Sequence, residues 1–199
     1  MLEVLVFVAQ VLIGLLIADF VSGLIHWLED TYGEAHWPIV GGAVASTVRH
    51  HTTPRRMLTV SYLVRNGPTM AVTGLFAVPV LLVFGINPVT VTALIAGFFA
   101  NEAHALAHRT PEENGPLITA LQKTGLLISF KHHAAHHRQG KDSHYCAVTC
   151  LLNPVLDRIG FWRGLEITIW RMFKVEPRYD ATVRDKHRRS IPDLARRGA

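Results

Sequence analysis

The chain has 199 residues, of which 49% are hydrophobic and 18% are charged, whereas soluble domains carry about 25% charged residues. This composition excludes a disordered chain. The net charge of +5 does not indicate a nucleic-acid-binding protein, because no basic residue precedes Arg49 and the later ones are not interleaved with a polar surface. The length fits a single domain over residues 1–199. Two cysteines are too few for a disulfide framework, so the twelve histidines are the feature that needs an explanation.

The first predicted element is a transmembrane helix over residues 4–25. Only Gln10, Asp19 and Ser22 interrupt its apolar run, and at about 1.5 Å per residue it is long enough to cross a hydrocarbon core of about 30 Å. A cleaved signal peptide is the alternative, but such a peptide begins with basic residues and none precedes this run.

Two further spans are predicted over residues 70–86 and 89–107, separated by the turn signal Asn87-Pro88. Each apolar run is at the short end of the transmembrane range, and a buried helical hairpin of a soluble protein is the alternative. With three spans, residues 27–68 and 109–199 lie on the same side of the membrane and contain all 20 lysines and arginines. The positive-inside rule makes that side cytoplasmic, so the C-terminus is expected there.

Two further segments are expected at the membrane surface. Residues 117–130 are mostly apolar but too short to cross a bilayer. Residues 161–173 alternate apolar and basic side chains at helical spacing, which favours an interfacial helix. For both segments, a helix packed on the domain itself is the alternative. The predicted fold is therefore an all-α integral membrane protein with about three transmembrane helices, interfacial helices and a cytoplasmic cap rich in histidine.

The histidines occur in pairs that suit metal binding. Side chains four residues apart lie on one face of a helix, close enough to share an ion. This spacing joins the pairs His26 with Asp30, His104 with His108, His132 with His136, and His133 with His137, and the adjacent pair His50-His51 adds a fifth cluster. Because all five clusters are expected at one membrane face, we predict that these residues bind metal.

The types of ligand favour iron. Ala105 follows His104, so the Glu of the zinc-peptidase motif H-E-x-x-H is missing. Magnesium and calcium prefer oxygen ligands. A set of imidazoles with one carboxylate suits two transition-metal ions, and iron is the one among them that carries out oxygen chemistry. A di-iron centre at the level of lipid chains predicts desaturation of a lipid, with a membrane hydroxylase or a non-catalytic metal-binding protein as alternatives.

Several motifs resemble one family, the Kua/CarF-type lipid desaturases, which include plasmanylethanolamine desaturase and the chloroplast phosphatidylglycerol trans-desaturase. The matching segments are ADFVSGLIHWLEDTYG (18–33), RHHTTP (49–54), RNG (65–67), NEAHALAH (101–108), LQKTGLLISFKHHAAHH (121–137), HYCAVT (144–149) and LNPVLDRIGFWRGLE (152–166). The resemblance implies an oxygen-dependent enzyme of membrane phospholipids that takes electrons from a small carrier such as cytochrome b5 or a ferredoxin. An alkyl ether and a fatty acyl chain both stay open as the substrate.

The resemblance also implies a ligand set: His26, Asp30, His50, His51, His104, His108, His133, His136 and His137. His132 is a predicted ligand by spacing. Asn101, one turn before His104, is expected to orient a ligand or a metal-bound water. His144 is expected beside the ligands or as a late ligand. We assign His36 to a loop and His187 to a basic tail that faces lipid headgroups.

Overall fold

The computed structural model describes residues 1–138 and 142–178. The predicted headgroup-facing segment around His187 lies outside the described residues. Within them, all regular structure is helical. The helices are α1 (Leu2–Thr31), α2 (Gly41–Thr52), a 3-10 helix (Pro54–Leu58), α3 (Tyr62–Phe84), α4 (Pro88–Phe98), α5 (Ala100–Ala107), α6 (Pro111–Thr124), α7 (Phe130–His136), α8 (Asn153–Arg158) and α9 (Phe161–Phe173).

Helices α1 and α3 are long and apolar enough to cross a membrane, and α4 with α5 forms a third candidate span that bends by 54°. No residue in the most apolar window of α3 is buried inside the protein. A buried hairpin of a soluble protein would bury such side chains, so the exposed apolar surface is the one that faces lipid. The all-α membrane architecture is confirmed.

The helix ends differ from the predicted spans in ways that matter for the histidines. Helix α1 continues to Thr31, so His26 and Asp30 lie in its last turns. Helix α3 begins at Tyr62 rather than near residue 70, because the Ser61 side chain accepts a hydrogen bond from the Val64 amide and caps it. The polar residues at the start of α3 therefore belong to the helix and not to a loop.

The turn between α3 and α4 follows the sequence signal closely. Gly85 has φ 74°, which favours glycine, and Asn87 forms a capping box with Thr90. Helix α4 then packs on α1 at Gly14, where a Cβ atom would lie 2.5 Å from the Val89 carbonyl oxygen. The close approach of these two helices brings the following helix, α5, to the end of α1 that contains His26.

The two segments expected at the membrane surface are organised differently from each other. Residues 117–130 do not form one helix, because α6 ends at Thr124, the next residue Gly125 has φ 80°, and α7 begins only at Phe130. Helix α9 packs on the domain through Trp162, which is buried against Trp27 and Tyr145. This face of α9 therefore packs on the domain itself, which was the alternative to an interfacial helix. The hydrophobic core that contains Trp162 lies next to the end of α1.

Candidate metal centre

Nine of the predicted ligands converge at the end of α1, and they form two groups of four and five. In each group the candidate ligand atoms all lie within 4.8 Å of one another. The five-histidine group consists of His50, His104, His108, His133 and His137. The carboxylate group consists of His26, Asp30, His51 and His136.

The five-histidine group brings Nε2 atoms into direct contact. The Nε2 atom of His133 lies 2.8 Å from that of His104 and 2.9 Å from that of His137, and the Nε2 atoms of His108 and His50 are 3.0 Å apart. Nitrogen atoms that share one ion, with bonds of about 2.1 Å at right angles, lie about 3 Å apart. The spacing therefore fits imidazoles arranged around a single cation.

These imidazoles are held in the neutral form that a metal requires. Burial, followed by the nearby His108, lowers the pKa of His50 to about 2. Burial and then Arg55 lower the pKa of His108 to about 4. Burial also lowers the pKa values of His133 and His137. Each lone pair is consequently free to bind a metal at neutral pH.

The carboxylate group is centred on Asp30, which is fully buried in the last turn of α1. Its Oδ1 lies 2.9 Å from His51 Nε2, and its Oδ2 lies 3.3 Å from His136 Nε2 and 3.5 Å from His26 Nε2. A carboxylate with three imidazoles is a ligand set that suits a transition metal better than magnesium or calcium.

The orientation of two rings in this group indicates a cation between the side chains. The Nδ1 atoms of His26 and His136 lie 3.1 Å and 2.8 Å from the carbonyl oxygens of Tyr145 and Ser143, so each Nδ1–H donates to a carbonyl. In the neutral ring the Nε2 atom then carries a lone pair, which faces an oxygen of Asp30. Two facing lone pairs repel unless a cation lies between them, so the residues fit a bound metal.

The two groups adjoin because α2 and α7 each contribute to both. The ring centroids of His51 and His137 are 5.1 Å apart, and those of His133 and His136 are 5.7 Å apart. Neighbouring positions on a helix point in different directions. The adjacent pairs His50-His51 and His136-His137 therefore supply one side chain to each group.

The chain is similar to several known proteins. The family model described as a lipid desaturase domain matches residues 15–180. The chain belongs to the lipid desaturase family. It is 35% identical over 168 residues to fatty acid desaturase 4-like 1, chloroplastic, of Arabidopsis thaliana, covering 82% of this chain and 57% of that protein. It is 34% identical over 183 residues to plasmanylethanolamine desaturase 1 of Mus musculus, covering 85% and 67%.

A viral relative is similar over most of its own length. The probable fatty acid desaturase of Acanthamoeba polyphaga mimivirus is 31% identical over 172 residues, which cover 85% of both chains. The chain spans only 52% to 60% of the length of the three Arabidopsis relatives. No solved structure matches the chain.

Three other predicted site residues of this lipid desaturase domain lie outside both groups. His132 Nε2 accepts a hydrogen bond from the Asn153 side chain at 3.0 Å, so its spacing from His136 does not bring it to the carboxylate group. His144 lies 2.9 Å from Asp157. Asn101 donates to the backbone carbonyl of Arg65 and so connects α5 to α3 rather than contacting a ligand.

Two residues that support the groups were not assigned a role from the sequence. Glu102 accepts hydrogen bonds from Arg65 at 2.7 Å and Asn66 at 2.9 Å, which joins the beginning of α3 to α5, the helix that carries His104. Asp19 accepts hydrogen bonds from the amides of Val148 and Thr149, both at 2.9 Å. The sequence did contain a signal for Asp19, because an ionisable residue within a membrane span indicates a functional site or a buried polar contact.

Proposed function

We propose that the chain is a membrane di-iron lipid desaturase with its site on the cytoplasmic side. One observation carries this proposal: nine side chains that could bind metal lie in two adjoining groups. They come from α1, α2, α5 and α7 and from the residues directly after α5 and α7. Each group has enough ligands for one ion, and imidazole with carboxylate suits iron. The predicted sidedness follows from the lysines and arginines, which all lie on the side of the histidines.

Iron bound in these groups would supply the oxygen-derived oxidant that an unactivated methylene requires. The overall reaction consumes one O2, two electrons and two protons, removes two hydrogen atoms from adjacent carbons of the lipid, and forms two water molecules. A small electron carrier of the cytochrome b5 or ferredoxin type would deliver the electrons. The protein keeps the imidazoles of the five-histidine group neutral, brings their Nε2 atoms together and adds the negative charge of Asp30 in the carboxylate group.

The proposed substrate is a chain of a membrane phospholipid. The names of the relatives support two versions, since one is a fatty acid desaturase and another is a plasmanylethanolamine desaturase. The product is accordingly an acyl chain with a new double bond or a vinyl ether made from an alkyl ether. Both reactions remove hydrogen from neighbouring carbons, so they need the same metal groups and differ in how the lipid lies beside them.

The test combines metal analysis with lipid mass spectrometry. The protein purified in detergent is expected to hold about two irons per chain. Cells that express it should accumulate either acid-labile vinyl ethers or acyl chains with one more double bond. His104→Ala removes a ligand of the five-histidine group and His136→Ala removes one of the carboxylate group, so each should abolish product formation. His36→Ala is the matched control, because His36 is exposed and lies outside both groups.

Three outcomes contradict the proposal. Zinc in place of iron, or a chain without bound metal, would rule out the oxidative chemistry. Hydroxylated lipid as the sole product would identify a hydroxylase. Full activity in His104→Ala or His136→Ala, with normal membrane insertion, would remove that residue from the ligand set.

A further inference from the structure

A cavity of about 490 Å³ borders the five-histidine group. His108, His133 and His137 form one part of its wall. Pro54, Ala107, Phe130 and Ala134 give it mainly apolar sides. A hydrocarbon chain that entered this space would contact apolar surface and reach three of the proposed iron ligands.

Two consecutive arginines of the 3-10 helix line the same cavity, and they differ in their partners. Arg55 Nη1 donates to the His108 carbonyl at 2.7 Å, and Arg55 Nη2 lies 2.7 Å from Glu113 Oε1. Its charge is therefore offset and its side chain is anchored. In residues 1–138 and 142–178, no side chain or carbonyl oxygen accepts a hydrogen bond from the Arg56 guanidinium, and no carboxylate pairs with it.

Arg56 is exposed at the edge of the apolar cavity, so its charge is available to an amphiphilic ligand with a negative head. A guanidinium group binds phosphate through parallel hydrogen bonds, and it does so more specifically than a lysine does. The predicted topology places the 3-10 helix on the basic side of the membrane, where anionic headgroups attract lysine and arginine. The chemistry of the cavity and of Arg56 thus matches the two halves of a phospholipid.

We propose that Arg56 binds the phosphate group of a phospholipid whose hydrocarbon chain occupies this cavity. The inference rests on the proposed function, and it makes Arg56 a residue that determines substrate specificity. A lipid with the same chains but without phosphate would lose the contact with Arg56 and keep only the apolar contacts.

The experiment measures binding to the detergent-purified, iron-loaded protein by native mass spectrometry, without oxygen or an electron donor. The probes are dioctanoyl phosphatidylethanolamine, dioctanoylglycerol and inorganic phosphate. We expect the phospholipid to bind at least about tenfold more tightly than dioctanoylglycerol, since one charge-assisted contact is enough for that ratio. Arg56→Gln should remove this preference. Arg158→Gln should keep it, because Arg158 is exposed and does not line the cavity.

Three results overturn the proposal. Equal binding of the two lipids to the wild-type protein would show that phosphate is not recognised. An Arg56→Gln variant that keeps the preference, with unchanged iron content and thermal unfolding, would assign the recognition to another residue. Displacement of the phospholipid by inorganic phosphate at equal concentration would identify a site for free phosphate. Because binding is measured without turnover, a protein that binds the lipid but makes no product contradicts the proposed function alone.

Discussion

The two groups of candidate metal ligands differ in how firmly their side chains are held. In the carboxylate group all four residues are buried, and the rings of His26 and His136 are fixed by hydrogen bonds to backbone carbonyls. In the five-histidine group, three members line a cavity. The Nδ1 atoms of His50, His133 and His137 have no hydrogen-bond partner among the described residues. The carboxylate group is therefore closed, with two of its three rings oriented by the backbone, whereas the five-histidine group borders a cavity that a ligand can enter.

This difference suggests separate tasks for the two groups. Hydrogen bonds on the second ring nitrogen orient an imidazole and strengthen its binding to a metal, so the carboxylate group is expected to hold its ion more tightly. The five-histidine group has only neutral ligands and borders the cavity, so its ion would keep more positive charge and lie nearer the substrate.

The largest effect is expected from Asp30→Asn. The substitution keeps the shape of the side chain but removes the negative charge that three imidazoles face. The variant should lose about one of two irons per chain and make no detectable product, because a neutral amide oxygen is a much weaker ligand than a carboxylate. The iron content is measured by elemental mass spectrometry, and the product is measured by mass spectrometry of the lipids.

Glu29→Gln is the matched control for Asp30. Glu29 is the preceding carboxylate on α1, but it accepts a hydrogen bond from Thr47 and does not belong to either group. It should keep both irons. If Asp30→Asn also keeps both irons and full activity, Asp30 is not a ligand and the distinction between the two groups fails.

Much of this arrangement could be predicted from the sequence because it depends on local spacing. The pairs His26 with Asp30, His104 with His108, and His133 with His137 are set by helical geometry alone, and each lies on or directly after a helix in the structure. The division into two groups could not be predicted. It depends on how α2 and α7 turn relative to α1, and no spacing within one helix contains that information.

A second prediction concerns Asp19, which supports the carboxylate group from one side. Its carboxylate accepts hydrogen bonds from the amides of Val148 and Thr149 and from the Thr149 hydroxyl. These bonds hold the segment whose Tyr145 carbonyl orients His26. Asp19→Ala would leave buried donors without an acceptor, which costs about 1–3 kcal/mol for each group. We expect a clear fall in the thermal unfolding temperature in detergent and weaker iron binding in the carboxylate group.

Asp19→Asn separates the two effects of that change. Its amide oxygen can still accept the backbone hydrogen bonds, so most of the stability and the iron should be retained. An Asp19→Ala protein with wild-type stability and iron content would show that this segment does not depend on Asp19. Loss of iron from the five-histidine group alone would contradict the proposed link between Asp19 and His26.

The role of His132 could not be predicted from the spacing of the histidines alone. His132 and His136 are four residues apart, as are His133 and His137, so the sequence offers both pairs as ligands. Helix α7 has a single orientation, and the side that carries His132 faces Asn153 and the ring of His144. Asn153 also binds the backbone of Cys146 in both directions, with its side chain oxygen accepting and its amide donating. His132 therefore contacts a supporting segment, not an ion.

The smallest effect is accordingly expected from His132→Ala. The variant loses the contact with Asn153, which is worth about 1 kcal/mol, and should keep both irons and most of the activity. His133→Ala, one position further along the same helix, removes a buried side chain whose Nε2 touches two other ligands, and should abolish activity. Iron content and lipid product measured for both variants decide the matter, because loss of iron in His132→Ala would bring a tenth side chain into the metal centre.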